Sequence, residues 1–268
     1  MRSNSEAVEL KSRQPHAALD NQIARALDNF QQAGAALIDT RKLLRRTDSK
    51  FLMSEGDIDS LLTQLRPAYA VLLANGAPLA SYRTLYFDTL DYRCFHDHRR
   101  GRRPRFKARI RHYDDRVLSY LEVKTKGSSN VTSKARMPRV FRDDSLSRED
   151  REFLSKHSPV SGDELHPTLW TNFSRLTLLS LHGPERVTID LNLNFVSGEQ
   201  AVAMAGVAIV EVKQASYCVR TPVMRELKHR HIRPASASKY CAALHATHNP
   251  RPNNRLLPSF RAMERLRV

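Results

Sequence analysis

Between residues 105 and 111 the chain reads Arg-Phe-Lys-Ala-Arg-Ile-Arg, a cation and an apolar residue in strict alternation. An extended strand sends successive side chains to opposite faces. Arg105, Lys107, Arg109 and Arg111 therefore share one face, and Phe106, Ala108 and Ile110 the other. Four like charges at neighbouring positions repel one another, and solvent relieves this only in part. The next segment repeats the scheme, with Glu122, Lys124 and Lys126 alternating with Leu121, Val123 and Thr125. Further on, Val187, Ile189, Leu191, Leu193 and Phe195 oppose Thr188, Asp190, Asn192 and Asn194, and Glu211 and Lys213 fall together in Ile209–Lys213. Taken alone, each such strand fits an ordinary sheet with one solvated face. Together they fit a sheet curled with its charged faces inward around an anion, an inverted barrel whose apolar outer faces need covering helices. Carboxylates among the cations (Glu122, Glu211 and Asp190) suit a divalent metal that bridges acidic side chains and phosphate oxygens.

The overall charge agrees with a polyanionic partner. Lys and Arg number 44 against 28 Asp and Glu, a net charge of +16. That excess suits nucleic acid, an acidic membrane surface or a phosphorylated ligand, and the total does not choose among them. With 268 residues, 41% of them hydrophobic, the chain can bury a sizeable core. Three cysteines, Cys94, Cys218 and Cys241, lie far apart without CxxC spacing, as expected of reduced, buried thiols in a cytoplasmic protein. Met1–Pro15 is polar and lacks the apolar stretch of a signal peptide. The longest apolar run, Ala201–Val210, is about half of what a membrane span needs, so a soluble chain is expected.

Along the chain, residues 1–15 read as disordered and 16–248 as one domain with no linker. Apolar spacing predicts helices from His16 to Leu44, broken near Gly34, and from Glu55 to Leu65, ended by Pro67. Tyr69–Ala74 and Leu79–Phe87 flank Asn75-Gly76 and read as a hairpin. Arg105–Tyr113 and Val117–Lys126 pair across Asp114-Asp115. Ser147–His157 is a helix with Ser147 as N-cap and Asp150 three residues on. Strands follow near Leu169–Leu181, Arg186–Phe195 and Ala203–Lys213, with Val196–Val202 as a loop, then helices near Val223–His231 and Ser238–His245. The tail, 249–268, is basic and Pro-containing and reads as mobile, with room for a short terminal helix.

The residues resemble a known family. Tyr86-Phe87-Asp88-Thr89, His96, the alternating Arg105–Tyr113 strand and Leu121-Glu122-Val123-Lys124 look like the catalytic domain of the vacuolar transporter chaperone (VTC) complex, a triphosphate tunnel metalloenzyme. Arg46–Phe51, Lys134-Ala135-Arg136, Asn172–Arg175, Val210–Lys213 and Ser238-Lys239-Tyr240 match in the same order. The resemblance implies an α+β fold with an eight-stranded antiparallel tunnel. It implies a polyphosphate polymerase that moves the γ-phosphate of ATP onto an inorganic polyphosphate chain, with Mn²⁺ or Mg²⁺ assisting. Carried over, Lys50, Arg109, Arg111, Lys124, Lys134, Arg175 and Lys239 would grip phosphate oxygens, with Arg109, Arg111, Lys124 and Arg175 as the catalytic set. Glu211, with Glu122, would hold the metal. Strand alternation adds Arg105, Lys107, Lys126 and Lys213 to the phosphate-binding face, Arg105 and Lys107 nearer the mouth.

Two departures accompany the resemblance. Phe173 stands where relatives usually carry Tyr, and the first strand lacks the Glu-x-Glu-x-Lys signature of the wider hydrolase superfamily, reading Arg46-x-x-x-Lys50 instead. The membrane segments and sensor domain of the fungal complexes are also missing from the chain, so a membrane partner would have to come from elsewhere. The rival readings are a non-catalytic module that captures polyphosphate or a phosphorylated ligand, an inorganic triphosphatase, and nucleic-acid binding through Arg99-Arg100-Gly101-Arg102-Arg103. That basic run serves equally as a solvated loop or a funnel at a tunnel entrance, and no specific nucleic acid is expected. His96 and His98, two apart on a presumed helix, point apart and make no metal pair. Ser128-Ser129 reads as loop, and Trp170 as a core residue.

Overall fold

The computed structural model describes residues 17–43, 45–127, 132–250 and 255–268. The expected disorder of 1–15 and the Ser128-Ser129 loop lie outside them. In chain order the elements are α1 (Ala17–Leu27), β1 (Gln31–Gln32), α2 (Ala35–Thr40), β2 (Thr47–Ser54), α3 (Ile58–Leu65), β3 (Tyr69–Val71), β4 (Leu79–Asp88), α4 (Arg93–Arg100), β5 (Arg105–Tyr113), β6 (Leu118–Lys126), β7 (Thr132–Arg139), α5 (Arg148–His157), β8 (His166–Ser180), β9 (Glu185–Ser197), β10 (Gln200–Ala203), β11 (Val207–Gln214), α6 (Pro222–His229), α7 (Lys239–His248) and α8 (Leu257–Leu266).

The alternating segment forms β5 as its period dictates: Phe106, Ala108 and Ile110 are fully buried while the cations take the other face. A 3-10 turn at Asp114–Arg116 returns the chain into β6, and Arg109 falls opposite Glu122. The sheet continues antiparallel in the order β2-β11-β9-β8-β4-β5-β6-β7. Short β1, β3 and β10 join it off this path, making eleven strands where eight were expected.

The sheet is not closed into a barrel either, since β2 and β7 do not pair with each other. β7 has the character of a strand that ends a sheet, mostly exposed and carrying Pro138, which has no N–H to donate. The sheet nevertheless curls strongly. Lys50 of β2 donates to the Ala237 carbonyl (2.9 Å) and Lys107 of β5 to the Ser238 hydroxyl (2.7 Å), so distant strands meet at two consecutive residues. The charge of Lys50 also acts on Lys124 of β6.

Both apolar faces are covered. Phe51, Met53, Val187, Ile189, Val210 and Val212 pack beneath Ile23 of α1, Leu61 and Leu62 of α3 and Leu227 of α6. Phe106, Ile110, Leu121 and Val123 lie in a second cluster with Phe95 of α4 and Leu154 of α5. Ser147 caps α5 with the reciprocal bond to Asp150 that the sequence predicts. At one end the concave face turns apolar (Leu52, Leu169, Phe195, Ile209), and Tyr240, Ala243 and Leu244 of α7 join that cluster. Trp170, expected as a core residue, is partly buried against the edge of this cluster, stacked on His112 at 5.8 Å with the Arg83 guanidinium 5.0 Å from its ring centre.

Three local expectations need correction. Tyr69–Val71 does not pair with β4: β3 and β4 lie end to end along β8, Val71 opposite Leu178 and Leu79 opposite Leu176. The Asn75-Gly76 turn closes a single bridge between Ala74 and Ala77. Val196–Val202 is not a loop but the tip of a hairpin in which β10 folds back on β9. In the tail, the terminal helix is present and packed rather than mobile, with Phe260 and Met263 buried in the core.

Candidate functional site

Register across the eight-strand path fixes which side chains share the concave face. Asp48 and Lys50 (β2) align with Lys213 and Glu211 (β11), and these with Arg186 and Thr188 (β9). Asp190 aligns with Arg175 (β8), Phe173 with Tyr82 and Thr171 with Thr84 (β4). Tyr86 aligns with Arg109 and Thr84 with Arg111 (β5), then Arg109 with Glu122 and Lys107 with Lys124 (β6), and Lys124 with Lys134 (β7). Cations from seven strands thus converge on one inward surface instead of facing separate stretches of bulk water.

The carboxylates on this face are paired, which lets the cations stay charged at partly buried positions. Glu122, 1% exposed, takes both Arg109 Nε (2.8 Å) and Nη2 (2.7 Å) on one oxygen and Lys134 on the other. Burial alone would raise its pKa, but Arg109, then Arg111 and Lys134, hold it well below the usual carboxylate range. Asp190, also 1% exposed, receives Arg175 through Nε (2.5 Å) and Nη2 (2.8 Å) in a two-pronged contact, together with Lys239 from the start of α7. Glu211 is held by Lys213, with Lys50 adding a further positive charge.

At the centre, Phe173 is surrounded by cations. Arg111, Arg175 and Lys239 stand 5.8, 5.3 and 4.5 Å from its ring centre. Arg111 also donates to the Thr84 hydroxyl at 3.1 Å. The basic residues at the strand ends are rim groups: Arg105 lies near Arg103 and Arg255, and Lys126 near Arg105 and Arg103. Lys107, expected near the mouth with Arg105, is half-buried and donates to the Ser238 hydroxyl. His98 bonds to the Cys94 carbonyl at 2.8 Å within its own helix.

The profile of the VTC domain matches residues 45–248, most of the chain and all of the concave face. The chain belongs to the VTC domain family. No curated protein matches its sequence. Solved structures align at low identity. A Bacillus halodurans protein named for a suggested adenylate cyclase activity is 15% identical, with TM-score 0.45 over 72% of this chain and 94% of its own. A Hippeastrum protein, named as a candidate adenylyl cyclase and described as having a dominant triphosphatase activity, is 14% identical, with TM-score 0.45 over 75% and 96%. The PH1819 protein of Pyrococcus horikoshii is 10% identical, with TM-score 0.44 over 75% and 96%.

This VTC domain also brings to the face residues that sequence reasoning passed over. Arg186 extends the alternation of Thr188 and Asp190 by one step, so its signal was available; its Nε is buried without a hydrogen-bond partner. Asp48 aligns with Lys213. Tyr86, matched only as part of a motif, lies with its hydroxyl 3.3 Å from Arg109 Nη1. Burial would raise the Tyr86 phenol, but Arg109, then Arg111 and Lys107, bring it down to about 7. Absorbance titration of the ligand-free protein should therefore show one tyrosinate forming near neutral pH, lost in Tyr86→Phe. A titration with every tyrosine ionising near the ordinary value of about 10 would contradict this.

The concave face of this VTC domain offers a divalent metal separate carboxylates. Among the described residues no three His, Cys, Asp or Glu side chains gather as a ready-made cage. Glu122, expected to be a ligand, has each oxygen within ion-pair distance of a cation, Arg109 on one and Lys134 on the other. Glu211 and Asp48 lie on adjacent strands of the concave face, both close enough to act on Lys124 and Lys213. Mg²⁺ and Mn²⁺ commonly take one or two carboxylates and complete their shell with water and phosphate oxygens. These two carboxylates suit an ion that arrives with its phosphate.

Proposed function

We propose that this domain is a polyphosphate polymerase: it binds ATP and inorganic polyphosphate on the concave face and moves the γ-phosphoryl group onto the end of the chain, releasing ADP. The observation that carries the reading is the convergence of Arg109, Arg111, Arg175, Lys50, Lys124 and Lys239 on one curled surface where, among the described residues, two carboxylates, Glu122 and Asp190, pair three of them closely. Phosphoryl transfer needs in-line positioning and neutralisation of charge more than covalent help from the protein. Fixed cations supply both with little reorganisation during the reaction. Arg109, Arg111 and Arg175 can each fork two phosphate oxygens, while Lys50, Lys124, Lys134 and Lys239 act as point charges.

The attacking group is the terminal phosphate oxygen of the acceptor chain, ionised at neutral pH, so no general base is assigned. The bond between the γ-phosphorus and the β,γ-bridging oxygen breaks as the new P–O bond forms, and ADP carries away the bridging oxygen. A divalent ion at Glu211 and Asp48 would neutralise charge on the transferring group. Among the described residues no helix is long and apolar enough to cross a membrane; a cytoplasmic site of action is part of the proposal.

Purified protein incubated with ATP and Mg²⁺ or Mn²⁺ should release ADP and build a polyphosphate ladder on a gel. Phosphate release from tripolyphosphate with no ladder would identify a triphosphatase instead. Tight polyphosphate binding with no ADP release under any metal would leave a binding module.

A further inference from the structure

Four aromatic rings on the concave face run in contact from its centre to the rim at the β5–β6 turn. Phe173 and Tyr82 are stacked, 5.1 Å apart and 11° from parallel. Tyr82 meets Tyr113 edge-on at 5.1 Å, and Tyr113 meets Tyr120 edge-on at 6.0 Å. The inner two rings are buried, whereas Tyr113 and Tyr120 are half-exposed. Each outer ring has an exposed guanidinium over it, Arg116 at 4.6 Å from Tyr113 and Arg136 at 5.0 Å from Tyr120. At the other end of the face, Tyr86 and Tyr240 are buried against each other at 5.1 Å and offer no open ring.

A phosphate chain gains nothing from this series, because the face of an aromatic ring is electronegative. A nucleobase does gain: it stacks on a tyrosine, and a guanidinium can cover its other side. Tyr120 lies directly opposite Arg111 in the register, so the half-exposed end of the series is itself beside a phosphate-binding cation, within reach of a nucleoside whose phosphates lie on the inner cations. We infer that Tyr113 and Tyr120, with Arg116 and Arg136 above them, form a base-stacking platform that receives a nucleoside triphosphate with its terminal phosphate deepest. This rests on the reading of the face as a triphosphate site. It adds what that reading leaves open, the end at which the nucleoside sits and the reason a nucleoside triphosphate is preferred to a bare one. Stacking is tolerant of base identity, so ATP and GTP should bind within a few-fold of each other.

The test is calorimetric titration of the full chain and of Tyr120→Ala and Tyr120→Phe with ATP and with inorganic tripolyphosphate. Tyr120→Ala should weaken ATP about tenfold and leave tripolyphosphate within twofold, and Tyr120→Phe should keep both. Equal loss of both ligands in Tyr120→Ala would make the ring a structural prop, and no change in either would remove it from the site. Either result overturns the platform while leaving the phosphate reading intact. A wild-type chain that binds neither ligand sinks both. Arg136→Ala, which alters only an exposed side chain, is a second probe should Tyr120→Ala fail to fold. It should weaken ATP more than tripolyphosphate, and an equal effect on the two would count against the platform.

Discussion

Arg175→Ala should lower ADP release from ATP by about a hundredfold or more and cost the fold about 3–5 kcal/mol. The two losses have different origins. Arg175 presents its fork beside Phe173 and Arg111 at the centre of the concave face, where a phosphoryl group would meet cations from several strands. Burial opposes the charge on Arg175, yet Asp190 outweighs it and raises its pKa above the ordinary guanidinium value, so the cation is permanent. The stability loss comes from Asp190, which is left nearly inaccessible with Lys239 as its remaining cation. Arg175→Lys keeps a charge and loses the fork, so it should recover most of the stability and only part of the activity. Arg175→Ala combined with Asp190→Asn should unfold less readily than Arg175→Ala alone, because no orphaned carboxylate remains. Urea unfolding reads the first effect and ADP release the second. Full activity in Arg175→Ala would take this residue out of the phosphate site.

What the sequence revealed here was the face of most strand side chains, since a strand of period 2 states it directly; β9 departs from its expected alternation at Asn192, whose positive φ and register shift send Leu193 and Phe195 to the face opposite Val187, Ile189 and Leu191. Arg105–Arg111 and Glu122–Lys126 lie as the alternation required. Closure was not legible, because alternation says which way a side chain points and nothing about which backbone edge meets which. β7 was equally hidden: Thr-Ser-Lys-Ala-Arg-Met-Pro-Arg alternates too weakly to announce a strand, and Lys134 was placed by resemblance rather than by pattern. The Asn75-Gly76 turn misled because a local hairpin signal competed with long β8, which takes both flanking segments end to end. Pairing was the other gap. Nothing in the linear order distinguishes Glu122, closed off by Arg109 and Lys134, from Glu211, whose single close partner is two residues away on its own strand. That distinction decides which carboxylate could hold a metal, and only the folded arrangement supplies it.

The same pairing predicts how the site responds to pH. Burial lowers Lys213 and Lys239 to about 8 each, despite the opposing pull of Glu211 and Asp190, and Arg175 adds to the lowering in both. With Tyr86 ionising near 7, the charge facing a polyanion falls by three as pH rises from below 7 to above 8. Tripolyphosphate affinity should therefore weaken at least tenfold between pH 7 and 9, and binding near pH 8 should take up protons. The stability of the free protein should move the other way. Both lysines keep their proton to about 10.5 when unfolded but release it near 8 when folded, so between these values the unfolded chain binds more protons. Folding then becomes more favourable as pH rises through that window, by up to roughly 3 kcal/mol for each lysine. Tyr86 acts in the same sense between about 7 and 10, where the folded chain has already released the phenolic proton. Thermal melts with and without tripolyphosphate from pH 6.5 to 9.5 should thus converge, the ligand's stabilisation shrinking as these contributions grow. Lys239→Met should remove one step from both curves. An affinity that stays level to pH 9.5 would mean that the ligand meets neither lysine, and that the phosphate chain lies elsewhere on the sheet.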